Sequence, residues 1–172
     1  ALNAAGVGAG GVTFLITDGE VFEEPGLITI TESGTAEKPI IIKQSGTGAK
    51  PVLKFTGTSN SGEACIKLDG ADYITIDGIE IRDDNDASSS NVEYGLFFNG
   101  TATNGCNNNT VKNCVIDLNP AYQLAKGVYL SSSAQSNDAT NSYNKFYNNK
   151  ITECYKGYDF AGNYNYSDNE NI

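Results

Sequence analysis

The chain has 172 residues, no histidine and a formal net charge of −10 at pH 7. That charge excludes nucleic acid and disfavours anionic membranes as partners, because nothing on the chain replaces the counterions of a polyanion. The missing histidine removes Ser-His-Asp, Cys-His and most zinc chemistry, and no apolar run is long enough for membrane insertion as a helix.

Nineteen glycines among many Asn, Ser and Thr residues predict an all-β, turn-rich protein. The opening "GVGAGG" precedes a strand and lacks the helix that a phosphate loop requires, so it reads as an entry turn. "VTFLITDG", "GLITITESG", "PIIIKQSG" and "PVLKFTG" then supply four strands of an irregular capping coil over residues 1–57.

Regular coils are expected over 64–172, all within one domain. "DYITIDGIEIRD" returns as "NNTVKNCVIDL" and again as "YNKFYNNKITEC". Ile76, Val111 and Phe146 share a column with a spacing of 35 residues, as do Ile81, Ile116 and Ile151. A second strand family, "CIKLDG", "GLFFNG", "GVYLSS" and "GYDFAG", places Ile66, Leu96, Val128 and Tyr158 inward at spacings of 30, 32 and 30. Near-constant periods of this size specify a solenoid.

Between the second and third strand of each unit stands Asp77-Gly78, then Lys112-Asn113, then Tyr147-Asn148. Gly and Asn accept the left-handed backbone cheaply, so a sharp bend recurs there. Three short strands per coil with that bend predict a right-handed parallel β-helix whose coils lie about 4.8 Å apart. Asn171 follows Gly157 by the same 14 residues that separate Asn109 from Gly95. The closing "NI" is therefore expected to open another coil, with further coils of the same chain as its neighbours.

The four cysteines, Cys65, Cys106, Cys114 and Cys154, lack the paired spacing of zinc sites. Cys114 falls at an inward strand position and reads as a small buried thiol; a disulfide framework is the alternative.

The order "GVTFLITDGEVFEE", "GTAEKPIIIK", "GAKPVL" and "DYITIDGIEI" resembles the amino-terminal part of secreted bacterial β-helix proteins of the pectate-lyase-like superfamily. It is also similar to the start of the chondroitinase-B and alginate-lyase family, best over residues 12 to 83. The resemblance implies a secreted or surface location. For the lyases it further implies β-elimination on a uronic acid polymer by Lys/Arg groups, often with calcium. Those catalytic groups belong to later coils, and no position of this chain inherits them.

Three constellations are candidates for chemistry or binding. In "RDDNDASSSNVE", Asp83, Asp84 and Asp86 offer hard oxygen ligands for Ca²⁺, although the run lacks the glycine and glutamate of an EF-hand; a solvated edge guard is the plainer reading. Asp84 or Asp86 with Asp117 or Asp159 would form an acid–base pair for glycoside hydrolysis. Lys67, Phe97, Tyr129 and Asp159 form an outward column, in which two aromatics flanked by opposite charges suit a sugar ring or simply stack for stability.

The functional expectation is a non-catalytic β-helical module of a secreted or surface protein, glycan-binding, adhesive or structural. The alternative is a lyase or glycosidase of acidic polysaccharide whose catalytic coils lie partly outside this sequence. No cofactor is expected beyond the candidate calcium.

Overall fold

A computed structural model describes residues 2–24, 27–58, 62–83, 92–119, 122–163, 165–166 and 170–172. After a one-turn helix, α1 (Leu2–Ala5), the described residues form fifteen strands. The first five are β1 (Val12–Ile16), β2 (Val21–Glu24), β3 (Ile28–Ile30), β4 (Ile40–Gln44) and β5 (Val52–Phe55). Then come β6 (Ala64–Asp69), β7 (Ile74–Asp77), β8 (Glu80–Asp83), β9 (Tyr94–Gly100) and β10 (Thr110–Lys112). The last are β11 (Val115–Asp117), β12 (Lys126–Ser132), β13 (Lys145–Tyr147), β14 (Lys150–Thr152) and β15 (Lys156–Ala161).

Every third strand is a neighbour. The first sheet runs β1-β4-β7-β10-β13, the second β2-β5-β8-β11-β14 and the third β3-β6-β9-β12-β15, all pairings parallel. This is a parallel β-solenoid with three strands per coil. The segment expected to be irregular pairs in the same stacks, and it contains a strand the sequence reading lacked, β2.

The predicted columns are register partners: Ile76 with Val111, Val111 with Phe146, and Ile81 with Ile116 and then Ile151. Ile66, Leu96 and Val128 stack likewise and are buried, as are Leu68, Phe98 and Leu130 beside them. Each such side chain contributes roughly 1.5–3 kcal/mol on leaving water. Tyr158 and Phe160 stand in register above Val128 and Leu130 but are 45% and 44% exposed, contrary to the expected burial of Tyr158. Their strand, β15, is the outermost of its sheet and nothing among the described residues stacks above it.

Two columns of left-handed backbone turn the corners. Gly78, Asn113 and Asn148 have φ of 74°, 54° and 55°, as the turn chemistry predicts. Tyr73, Asn108 and Tyr143 form a second column, with φ of 54°, 58° and 61°, at the corner between the third and first sheets.

Asparagine ladders seal that second corner. Asn109 Oδ1 accepts from the Ile74 amide at 2.8 Å, and Asn144 Oδ1 accepts from the Asn109 amide at 3.0 Å. The same side chains donate Nδ2 to the carbonyls of Ala71 and Cys106. Asn171 Oδ1 then accepts from the Asn144 amide, which extends the column into the final residues. A buried backbone group left unpaired costs about as much as a lost hydrogen bond, so these amides carry the loop's polar backbone into the core. At the opposite end Asn3 donates to Thr29 O and accepts from the Thr31 amide, covering part of the open edge of β3.

Candidate functional site

The outward column proposed from the sequence exists as a column. Lys67 pairs with Phe97, Phe97 with Tyr129, and Tyr129 with Asp159, so all four side chains project from successive strands of the third sheet. The Phe97 and Tyr129 rings stack at 5.1 Å between centroids with 19° between planes. Lys67 Nζ lies 5.8 Å from the Phe97 centroid and also 3.4 Å from Asp69.

Two members of the cluster were not legible in the sequence. Tyr94 sits 5.0 Å from Phe97 and 4.7 Å from Tyr129, and Lys126 holds its ammonium 3.6 Å from the Tyr129 centroid. Lys126 also pairs with Asp159 at 2.8 Å, and Lys156 reaches the same carboxylate oxygen at 3.3 Å. Hydrogen bonding from Lys126 is the chief reason that the Asp159 carboxyl titrates below its ordinary range, against a smaller opposing effect of burial. Burial raises the Tyr94 phenol, with Tyr129, Glu93 and Asp159 adding to the effect.

The extra members arise from a slip in the strand alternation. In β9, Gly95 and Leu96 are both buried, so Tyr94 and Phe97, three residues apart, share the outer face. Lys126 and Tyr129 share it in β12 for the same reason, around Gly127 and Val128. Glycine is required at this slip. A Cβ on Gly95 would stand 2.4 Å from Ile116 Cγ2, and one on Gly127 would stand 2.3 Å from Ile151 Cγ2.

The candidate calcium ligands do not form one described cluster. Asp83 closes the buried side of β8, where its Oδ2 accepts from the Val92 amide at 3.1 Å. This carboxylate faces the buried side of its strand rather than the outer face. Asp84 and Asp86 lie outside the described residues. Among the described residues, no group of three or more His, Cys, Asp or Glu side chains is arranged to hold a metal ion.

Each acid–base pair considered for glycoside hydrolysis includes Asp84 or Asp86, which lie outside the described residues; only the other members, Asp117 and Asp159, are described. Asp117 is on the second sheet, where Thr152 donates to it at 2.8 Å and Arg82 approaches at 3.9 Å. Asp159 is on the third sheet and engaged by two lysines.

Cys65, Cys106 and Cys114 are buried free thiols, and Cys154 is a partly exposed one. Burial pushes the Cys106 thiol up to about 12. It raises Cys65 and Cys114 as well. The inward position of Cys114 is as the strand pattern predicts. No helix among the described residues is long and apolar enough to cross a membrane. No family model, no curated protein and no solved structure matches this chain.

Proposed function

We propose that this chain is a non-catalytic β-solenoid module of a secreted or surface protein, and that the outward aromatic column is a structural spine. One observation carries the reading: the ring faces of the column are already occupied. Phe97 and Tyr129 stack on each other, Tyr94 packs against both, and Lys126 covers Tyr129 while bridging to Asp159. A pyranose needs an open aromatic face for its C–H surface, and here those faces meet protein.

The cluster serves stability instead. Aromatic pairs contribute about 0.5–1.5 kcal/mol beyond their buried area, and a partly desolvated cation–π contact about 1–2 kcal/mol. Polar ladders add to it along the coil axis, such as Asn99 Nδ2 to Asp69 at 2.6 Å and Asn113 Nδ2 to Asp77 at 2.8 Å. Such a solenoid is a stiff spacer, with each coil stacked on the next by the same pairings. The resemblance to extracellular β-helix proteins supports the location, and the exposed inward-type side chains Tyr158 and Phe160 support further coils as the neighbour of β15.

The test compares wild type with Phe97→Ala and Tyr129→Ala, by thermal melting and by retention on immobilised polysaccharides. Both variants are expected to melt earlier and to keep whatever retention wild type has. Retention lost without any loss of stability would make the column a sugar platform. Release of unsaturated uronide from a polyuronate by wild type would make the chain a lyase.

A further inference from the structure

The corner between the third and first sheets holds a groove of about 750 Å³, on a different face from the aromatic column. Tyr73, Asn108 and Tyr143 line it, together with Asp72, Asn137 and Asp138. Its volume falls in the range of about 300–1,000 Å³ usual for ligand sites.

The tyrosines are held there at a cost. Tyr73 and Tyr143 have φ of 54° and 61°, a conformation that costs a residue with a Cβ roughly 1–2 kcal/mol. Bulky residues there are outliers, and such outliers persist where the surrounding structure enforces them, often at binding sites. The enforcement is visible: the Tyr73 amide donates to Asn107 O, and the Ser142 amide, next to Tyr143, donates to Asn107 Oδ1. The asparagine ladder fixes the following residue at each level. Glycine would fill these corners without strain and asparagine at a smaller cost, as Asn108 does between the two tyrosines. The Tyr143 side chain is available at this corner, being 49% exposed.

We propose that this corner groove binds a neutral oligosaccharide chain lying along the solenoid axis. Tyrosine faces would receive the C–H surfaces of its rings, while Asn108, Asn137 and the carboxylates of Asp72 and Asp138 take its hydroxyls. The lining has two carboxylates and no Lys or Arg, so a uronate or sulfated chain is repelled. Tyr73 and Tyr143 are two levels apart, ~9.6 Å at the usual strand spacing, close to the length of a disaccharide in an extended chain. Amides and carboxylates between aromatic rings match the alternating apolar faces and hydroxyl rims of sugars, not the side chains of an apolar peptide. This assignment does not depend on the role given to the column of Phe97 and Tyr129.

The experiment is calorimetric titration of the intact chain with neutral hexasaccharides of β-1,4-glucan, β-1,4-mannan, β-1,4-xylan and α-1,4-glucan, and with hexagalacturonate. At least one neutral hexasaccharide is expected to bind, and more tightly than hexagalacturonate. Tyr143→Gly removes the ring while relieving the backbone, so it should fold at least as well and bind about tenfold more weakly or worse. Phe97→Ala should bind within about twofold of wild type. Absence of binding by every neutral hexasaccharide would overturn the proposal. So would preference for hexagalacturonate, wild-type affinity in a folded Tyr143→Gly, or a loss confined to Phe97→Ala.

Discussion

Lys126 places one ammonium 3.6 Å from the centroid of Tyr129 and 2.8 Å from Asp159 Oδ2, so a single side chain closes an aromatic stack and an ion pair together. Both contacts are partly withdrawn from water, where a cation–π contact is worth up to about 2 kcal/mol. Lys126→Met keeps the apolar stem and loses the charge. Urea denaturation should show a loss of about 1–2 kcal/mol with an unchanged m-value. A smaller loss in Lys156→Met is expected, since that lysine is more exposed.

The pH dependence of stability has two opposed contributors. Asp159 titrates below its ordinary range, chiefly through its hydrogen bond from Lys126, so the folded state favours its charged form. That stabilisation is complete above the unfolded value of about 3.9 and is lost as pH falls through the depressed folded value. Asp72 behaves oppositely. Burial raises it, despite a hydrogen bond from the Asn107 amide, so its charged form is penalised in the folded state above the raised value. Asp72→Asn should therefore be more stable than wild type at pH 7. The advantage should vanish as pH falls below the ordinary carboxylate range, as denaturation at a series of pH values would show.

Asn144 is completely buried; it accepts from the Asn109 amide and donates to Cys106 O and Asn171 Oδ1. Asn144→Ala strands that amide and that carbonyl in the core, where each unpaired group costs about 1–3 kcal/mol. A loss of about 2–6 kcal/mol is expected, against about 0.5 kcal/mol or less for Gln135→Ala, an exposed residue of the preceding loop. Equal effects of the two substitutions would show that the ladder contributes nothing.

Much of this architecture was legible because the residues that build it are specialised. Ile76, Val111 and Phe146 recur at a fixed interval since parallel stacking puts equivalent positions above one another. Gly78, Asn113 and Asn148 revealed their corner because those residue types tolerate positive φ. The companion corner stayed hidden, as nothing about Tyr73 or Tyr143 as tyrosines signals a left-handed backbone. Strand β2 was missed because "VFEE" is short and mostly exposed, with no alternation to read. Tyr94 and Lys126 escaped the outward column because strict alternation assigns them inward, and only the slip at Gly95 and Gly127 turns them out.

The thiols provide a direct probe of the core. Cys65, Cys106 and Cys114 are buried, and burial raises all three, which suppresses the reactive thiolate. Cys154 is partly exposed and is also raised by burial, though its value is held down in part by the Gly127 amide. A thiol reagent at pH 8 should modify Cys154 alone in the native protein, more slowly than a model thiol, and all four cysteines in denaturant. Peptide mapping after native labelling checks the assignment. Early labelling of Cys106 would contradict the burial of the third-to-first-sheet corner.

Gly127 of the third sheet packs closely against Ile151 of the second. A Cβ there would stand 2.3 Å from Ile151 Cγ2, 3.1 Å from Ile151 Cδ1 and 2.8 Å from Gly157 O. Overpacking of this kind typically costs about 1–3 kcal/mol, because neighbours must leave their rotamers or the strands must part. Gly127→Ala should therefore lower stability by that amount and disturb the stack of Lys126 on Tyr129, which depends on the same slip in the strand. The clash has two sources, one removable and one not. Ile151→Ala clears the side-chain part but leaves the carbonyl of Gly157 in place. In the double variant, the added cost of Gly127→Ala should be smaller than in the wild-type background, yet above zero. Additive effects in a double-mutant cycle would mean that Ile151 is not the obstacle, and that the glycine serves the backbone alone.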